Sequence, residues 1–308
     1  MNKIFICIPV HNRIEYTLKC IDSIFNQTYK NWHIIISDAG STDNTTEIIR
    51  KKYTNKVTVI QIDASNFWTG GINACVKYAI SIANDSDFIY TLNNDTELFR
   101  DTLEKLINIA TKYKNSIIGS VNLFYRDKTL IEPSSFVIKN KKFRLYKAYH
   151  KFGERYDEYN NIIEVDALSG KGVLIPIIVF DKIGTFNSKK LPHYHADTEF
   201  TIRAKRNGFK LFLSYQSKLL SHQELSGLGT ITSSPNFINF IKSFFSIKSA
   251  NHLKSRYNYC KLVYERKHIL YFILIYVHTI GGYLIRVINF NSKIIKHKII
   301  NYGSNKKS

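Results

Sequence analysis

Over the first 120 residues the chain alternates between two hydrophobic periods, and this alternation narrows the possible folds more than any other feature. Short apolar runs rich in β-branched and aromatic residues read as strands buried on both faces: KIFICIPV (3–10), WHIIISD (32–38), KVTVIQI (56–62), DFIYTL (87–92) and SIIGSV (116–121). Segments with helical spacing lie between them. YTLKCIDSIFNQ (16–27) places Leu18, Ile21, Ile24 and Phe25 on one side, and STDNTTEIIRKKY (41–53) opens with Ser41 or Asp43 as a cap. Residues 70–83 and LFRDTLEKLINIATKY (98–113) complete the helical set. The pattern predicts an α/β fold with a mainly parallel central sheet flanked by helices. Cys7, Cys20, Cys75 and Cys260 are scattered, which suits neither a zinc ribbon nor a disulfide framework; they read as reduced core thiols of a cytosolic protein. The apolar run at the N-terminus is too short for a signal peptide.

From about 122 to 165 the chain becomes polar, basic and rich in Tyr, which predicts irregular strands and a surface loop. That loop either contacts a second substrate or is a variable insertion without a role. Core-like character returns at 165–186, and 196–213 reads as a helix stopped by Gly208, then a strand. Three helices are expected at 235–247, 251–266 and 267–290. The expected organisation is one domain over 1–230, in halves 1–120 and 121–230, followed by a helical tail over 231–308.

Ligands of open α/β sheets bind outside the carboxyl ends of the strands. Three such ends carry polar groups here: Pro9, His11 and Asn12 after the first strand, Asp38 at the end of the second, and Asn93 and Asp95 just past the fourth. Any one Asp in such a place reads as a helix cap, whereas three converging ends point to a crevice that holds a nucleotide. Its phosphates need neutralising. No GxxxxGK[ST] is present, and no GxGxxG follows the first strand. The Gly pair in NFWTGGINA (66–74) reads instead as a tight turn starting a helix, with Trp68 either in the ligand pocket or in the core. That leaves a hard cation, for which Asp95 is the natural protein ligand.

IPVHNRIEYTLKCIDSIFNQTYKNWHIIISDAGSTDNTTEII (8–49) resembles the opening of the family-2 glycosyltransferases. LNNDTEL (92–98) stands where that family has its DxD motif, and SGKGVLIP (169–176), IGTFN (183–187) and HADTEFTIRAKRNGFKL (195–211) resemble its acceptor-side half. The likeness covers roughly residues 4–225 and implies a GT-A fold. It implies inverting transfer of a sugar from a nucleoside-diphosphate donor, a UDP- or dTDP-sugar, to a glycan acceptor with Mn2+ or Mg2+. By the same resemblance Asp38 would recognise the base, Pro9, His11 and Asn66 would line the nucleotide pocket, and Asn93 would hold the ribose or nucleotide. Asn93 departs from the usual Asp and contributes no charge. Asp95 would bind the metal, with His222 as a further ligand or a structural histidine. Trp68 and Gly170 would border the sugar pocket. Asp197 would be the general base, a role compatible with capping its helix, although Ala196 replaces the acid usually beside it. Glu199 is the rival base, or contacts acceptor or Arg203. His193 and His195 form an HxH without a third soft ligand, which suits a structural or acceptor-contact role. The implied setting is O-antigen, capsule or lipopolysaccharide biosynthesis on an undecaprenyl-linked saccharide.

The basic excess is concentrated in the tail, where residues 231–308 carry 13 Lys/Arg and one acid, Glu265. ILYFILIYVHTIGGYLI (269–285) has 17 residues without Asp, Glu, Lys or Arg, is interrupted by His278 and Gly281–Gly282, and is followed by Arg286, Lys293, Lys296 and Lys298. The stretch is short for a spanning helix. It predicts helices lying on an anionic membrane surface, with spanning or packing on the first domain as alternatives. The expected location is cytoplasmic, peripheral on the inner face of the cell membrane. Two rival readings are a non-catalytic sugar-nucleotide or glycan binder, favoured by Asn93 and Ala196, and a basic nucleic-acid binder. No nucleic-acid-binding module pattern occurs, so no nucleic-acid partner is expected.

Overall fold

The computed structural model describes residues 2–138, 145–157, 161–222 and 235–304. Parts of the polar segment, at 139–144 and 158–160, and the side chains of Lys293, Lys296 and Lys298 lie outside the described residues. The chain forms two units, Met1–Ser226 and Gly227–Ser308.

The first unit begins β1 (Ile4–Val10), α1 (Ile14–Phe25), β2 (Trp32–Asp38), α2 (Thr45–Lys52), β3 (Val57–Gln61), α3 (Phe67–Ile82), β4 (Phe88–Thr91). It continues β5 (Thr96–Leu98), α4 (Thr102–Lys112), β6 (Ser116–Phe124), β7 (Leu130–Glu132), β8 (Ser135–Ile138), β9 (Tyr146–Ala148), β10 (Glu154–Arg155). Last come β11 (Ile162–Glu164), β12 (Ala167–Leu168), β13 (Val173–Pro176), α5 (Ile177–Ile183), α6 (Ala196–Arg206) and β14 (Lys210–Ser221).

Strands β4, β1, β2 and β3 lie side by side in parallel, with Cys7 opposite Thr91, Val10 opposite Asp38, and Asp38 opposite Gln61. Their carboxyl ends therefore line up. Ile4 to Ile8 and Ile34 to Ile36 are wholly buried, as strands covered by helices on both faces must be. The fifth strand of the sequence pattern, β6, does not extend this parallel row directly. Antiparallel β13 lies between β4 and β6, pairing Val173 with both Thr91 and Gly119. This insertion brings the residues just before β13, Gly170 to Gly172, to the carboxyl end of β4. β14 runs parallel to β6 with a register break between Ser214 and Lys218, and then pairs antiparallel with β5. A small second sheet has the order β12-β8-β9.

Two local expectations change. Neither Ser41 nor Asp43 caps the helix that follows, because α2 starts at Thr45 after Asn44, which has φ 58°. Asp43 instead accepts the Ile14 N–H at the start of α1 (3.0 Å) and the Thr45 hydroxyl (2.5 Å), so it ties two loops together. The Gly pair does not form a turn but lies in the first turns of α3, which starts at Phe67. A Cβ on Gly71 would stand 2.9 Å from Pro9 Cβ and 3.0 Å from Ser37 Oγ, so this glycine lets α3 press against the ends of β1 and β2.

The second unit holds α7 (Phe237–Ser243), α8 (Leu253–Tyr264) and α9 (His268–Ser304), the last running well beyond the expected 290. Its inner face is aromatic: Phe240 stacks on Tyr283 at 4.1 Å and Tyr264 on Tyr271 at 3.9 Å. The outer face of α9 exposes Ile269, Leu270, Ile273, Leu274, Val277, Leu284, Ile285 and Ile288.

Candidate active site

The site is built where the aligned strand ends meet the segment before β13. Asp95 follows β4 and is buried, and its Oδ1 has no hydrogen-bond partner. Its backbone is fixed, since the carbonyl accepts the His222 N–H at 3.0 Å. A buried carboxylate oxygen without a partner is costly unless a ligand completes it. A hard divalent cation fits this point, because it takes carboxylate oxygen and fills its remaining positions with phosphate or water. Among the described residues no three His, Cys, Asp or Glu side chains cluster around a common centre, so such a cation would depend on ligands from outside the chain.

Asn93 is fixed by Trp68, whose indole N–H donates to its Oδ1 at 2.9 Å. An indole only donates, which assigns that atom as the amide oxygen and leaves the NH2 as the donor end. The Trp68 ring crosses to the other half of the domain, where a Cβ on Gly170 would stand 2.7 Å from Trp68 Cη2 and 3.1 Å from Asp197 Cβ. Gly170 N–H donates to Asp197 Oδ2 at 2.7 Å, and Thr198 N–H donates to Oδ1 at 2.8 Å. Asp197 is thus held at the first turn of α6 through both carboxylate oxygens. Burial pushes its carboxyl above the ordinary aspartate value, against the backbone N–H groups of Gly170 and Thr198, which pull it down. Burial also raises the Tyr194 phenol, which feels the charges of Lys171, Asp197 and Asp95. A single phenol thus lies within electrostatic range of both Asp95 and Asp197.

Lys171 follows Gly170. Its Nζ donates to both oxygens of Glu132 (3.1 and 3.2 Å) and to Ser221 Oγ (2.7 Å). The pair is secluded, with side chains 11% and 7% exposed. Burial works against the ammonium charge, but Glu132 and then Asp95 outweigh it and hold Lys171 above the ordinary lysine value.

Other expected residues have defined places. Asp38 is buried and accepts from Ser41 N–H (2.9 Å) and Thr46 Oγ1 (2.5 Å), which shapes the loop beyond β2. His11 is exposed, with Nδ1 2.9 Å from the Ala39 carbonyl, and Pro9 lies against α3. Asn66 turns back on Asp63 (2.9 Å) at the entry to α3 and is not drawn into the cluster around Asp95. Glu199 is buried and paired with Arg203 through both oxygens (2.8 and 3.2 Å); Arg203 also donates to the Ile183 and Thr185 carbonyls. Of the alternatives for Glu199, the geometry shows the ion pair with Arg203. His222 is buried with Nε2 2.9 Å from Glu97, and its ring stacks on Tyr125 at 3.9 Å. A carboxylate on one ring nitrogen is the arrangement that orients an imidazole toward a metal through the other. His193 packs edge-on against Phe67. Backbone strain adjoins the site: Phe67 (φ 48°) precedes Trp68, His195 (φ 72°) precedes α6, and Asn12 and Arg13 (φ 58° and 66°) follow β1.

A sequence profile described as Glycosyl transferase family 2 matches residues 5–171, more than half of the chain. The chain belongs to this family. It is 31% identical over 194 residues to an uncharacterized glycosyltransferase of Rickettsia typhi, covering 61% of this chain and 55% of that protein. It is 32% identical over 135 residues to the chondroitin synthase of Pasteurella multocida, covering 44% of this chain and 13% of the synthase. Similarity to glycosyltransferase GlyG of Streptococcus pneumoniae is 24% over 278 residues, covering 78% of this chain and 87% of that protein. The chain therefore spans about half of the Rickettsia relative and a small part of the synthase. Among solved structures it is similar to GalNAc-T7 with UDP, GalNAc and Mn2+, with a TM-score of 0.58 and 13% identity over 72% of this chain and 44% of that one. That likeness establishes the GT-A fold.

For a family-2 glycosyltransferase of this fold, three side chains of the cluster escaped the sequence reading: Lys171, Glu132 and Tyr194. Lys171 sits inside the quoted SGKGVLIP and Tyr194 between the two histidines of the HxH, and adjacency to Gly170 and nearness to Asp197 were the available signals. Glu132 carries none, because its link to Lys171 spans 39 residues.

Proposed function

We propose that this glycosyltransferase moves a sugar from a nucleoside-diphosphate donor, a UDP- or dTDP-sugar, to a hydroxyl of a glycan acceptor with inversion at the anomeric carbon. The observation that carries this reading is that two unlike carboxylates are linked through one short segment: Gly170 N–H holds Asp197, and Lys171 holds Ser221, whose neighbour His222 holds the Asp95 carbonyl. Asp197 is held by two backbone N–H groups and made more basic by its surroundings, while Asp95 presents an oxygen with no protein partner. A carboxylate with a raised pKa suits proton removal from an alcohol near neutral pH. In the proposed step Asp197 takes the acceptor proton as that oxygen bonds to the anomeric carbon, and the bond to the diphosphate breaks on the opposite face. Asp95, with His222 as a second candidate ligand, would hold Mn2+ or Mg2+, which when bound supplies charge to the departing diphosphate. The base and ribose would rest on Pro9, His11, Asp38 and Asn93, with Asn66 at the rim and the sugar against the surface that Trp68 and Gly170 form by packing on each other.

The outer face of α9 supports a location on an anionic membrane surface, with a lipid-linked saccharide as acceptor in surface-polysaccharide assembly. From Ile269 to Ile288 this face stays apolar for about 29 Å at the rise of an α-helix. The window around it has a mean hydropathy of 1.6 with 11% buried. Arg266 and Lys267 precede the stretch and Arg286 lies near its far end, which suits anionic headgroups.

The decisive test is a panel of UDP- and dTDP-sugars, followed by thermal shift and by nucleotide release with and without Mn2+. A Mn2+-dependent rise in melting temperature with at least one donor, lost in Asp95→Ala, is the expected result. A protein stabilised by no member of the panel would overturn the reading.

A further inference from the structure

We propose that Lys171 is a positioning residue that couples the two carboxylates of the site; this rests on the transferase reading above. Its neighbours show why the coupling is mechanical. Gly170 on one side delivers its N–H to Asp197 at 2.7 Å. Gly172 on the other side donates to the Thr91 carbonyl at 2.9 Å, at the end of β4. Neither glycine has room for a Cβ: on Gly172 (φ +78°) it would stand 2.3 Å from Leu219 Cδ2, and on Gly170 2.7 Å from Trp68. The segment is threaded between the two halves, and its only long side chain is the lysine.

That side chain is anchored on the far side of the crevice. Ser221, which receives its ammonium at 2.7 Å, pairs with Thr96 in the β14–β5 ladder. The next residue, His222, holds the Asp95 carbonyl through its N–H at 3.0 Å. Lys171 therefore ties the turn that carries the Asp197 hydrogen bond to the strand end that carries Asp95. Glu132, from β7, closes the clamp with both oxygens.

The arrangement has an electrostatic consequence as well as a mechanical one. A fixed ammonium near Asp95 opposes a cation at that carboxylate, and Glu132 opposes the ammonium in turn. Removing the positive charge is expected to strengthen cation binding while turnover falls, because the turn behind Asp197 loses its anchor. A residue with a purely structural role would weaken both together. The two signs separate the hypotheses.

The experiment compares the wild type with Lys171→Met, Lys171→Arg and the double variant Lys171→Met with Glu132→Gln, which removes the buried lone carboxylate. Mn2+ binding in the presence of UDP is read by calorimetry, and kcat and KM by nucleotide release from the donor identified in the panel. For Lys171→Met the half-saturating Mn2+ concentration is expected to fall by about tenfold, with kcat down by about tenfold or more and donor KM within a factor of about three. Lys171→Arg should restore most of kcat. The double variant should return the Mn2+ value toward wild type while kcat stays low. Wild-type kcat in a folded Lys171→Met protein, or weaker Mn2+ binding in that variant, would overturn the proposal and leave the transferase reading standing. A wild-type protein that takes up no Mn2+ with UDP would overturn the metal-dependent reading and this inference with it.

Discussion

Gly170→Ala is the sharpest single-atom probe of the site, because the added methyl meets only functional groups. Its Cβ would stand 2.7 and 2.8 Å from Trp68 Cη2 and Cζ2, and 3.1 Å from Asp197 Cβ. Carbon atoms at rest in a core sit at about 3.5–4.0 Å, so the ring or the carboxylate must retreat by several tenths of an ångström or more. Gly170 does not have a left-handed φ, which removes backbone strain as a cause. Overpacking of this kind costs about 1–3 kcal/mol. For a domain of this size that corresponds to a melting-temperature drop of about 2–12 °C. Turnover should fall further than stability, by about a hundredfold, because displacement of a reacting group by about 1 Å carries a penalty of that order. The assay is nucleotide release at saturating donor and Mn2+, at a temperature where both proteins are fully folded. Gly281→Ala, with open space around its Cβ, is the control and should leave turnover unchanged, with at most the small gain in stability that Ala brings to a helix. A Gly170→Ala protein with wild-type turnover would show that Trp68 and Asp197 do not border the reacting sugar.

Four further outcomes follow from the same geometry. Asp95→Asn should abolish the Mn2+-dependent thermal shift while barely changing the melting temperature without metal, because Oδ1 has no hydrogen bond to lose. The acid limb of the pH–rate profile should lie above the ordinary aspartate value of 3.8 and disappear in Asp197→Asn. As the folded-state value is raised, Asp197 contributes stability that is complete below 3.8 and lost as pH rises through the folded value, and denaturant titrations across that window check the sign. Arg203→Met strands Glu199, whose side chain is 5% exposed, and should cost about 2–3 kcal/mol in urea unfolding with little effect on kcat, the opposite of the Asp197 pattern. Val277→Asp with Leu284→Asp should release the chain from anionic vesicles in sedimentation without altering donor hydrolysis; unchanged sedimentation would remove the membrane reading.

How far the sequence reveals this molecule depends on the distance between interacting residues. β1, β2 and β4 were legible because each is buried on both faces and bounded by polar strand ends, so local pattern and tertiary environment agree, whereas β3 is an edge strand and only half-buried. The antiparallel entry of β13 was not, because VLIP has the same apolar signature in either direction and only the pairing of Val173 with Thr91 and Gly119 sets it. β5 is three residues long, too short for a period to show. Asp38 and Asp95 could be singled out from their positions at strand ends and Asp197 from the resemblance of its segment, whereas the partner of each side chain could not. Glu199 is an example: Arg203 lies four residues on and was a visible alternative, but the carbonyls of Ile183 and Thr185 that fix the arginine were not.

Asn93 shows why such partners matter for function. Read in sequence, it is a missing acid and an argument for a weakened or inactive site. In the fold its amide oxygen accepts from Trp68, and the same ring closes on Gly170, whose N–H holds Asp197. An aspartate could also accept that bond, but it would add a second negative charge two residues from Asp95. It would also remove the NH2 donor end that the amide keeps. The departure from the family motif is therefore coupled to the tryptophan that joins the two halves of the domain. Asn93 and Trp68 form one device, in which the amide accepts the indole N–H without adding a charge beside Asp95, the carboxylate proposed to meet the cation.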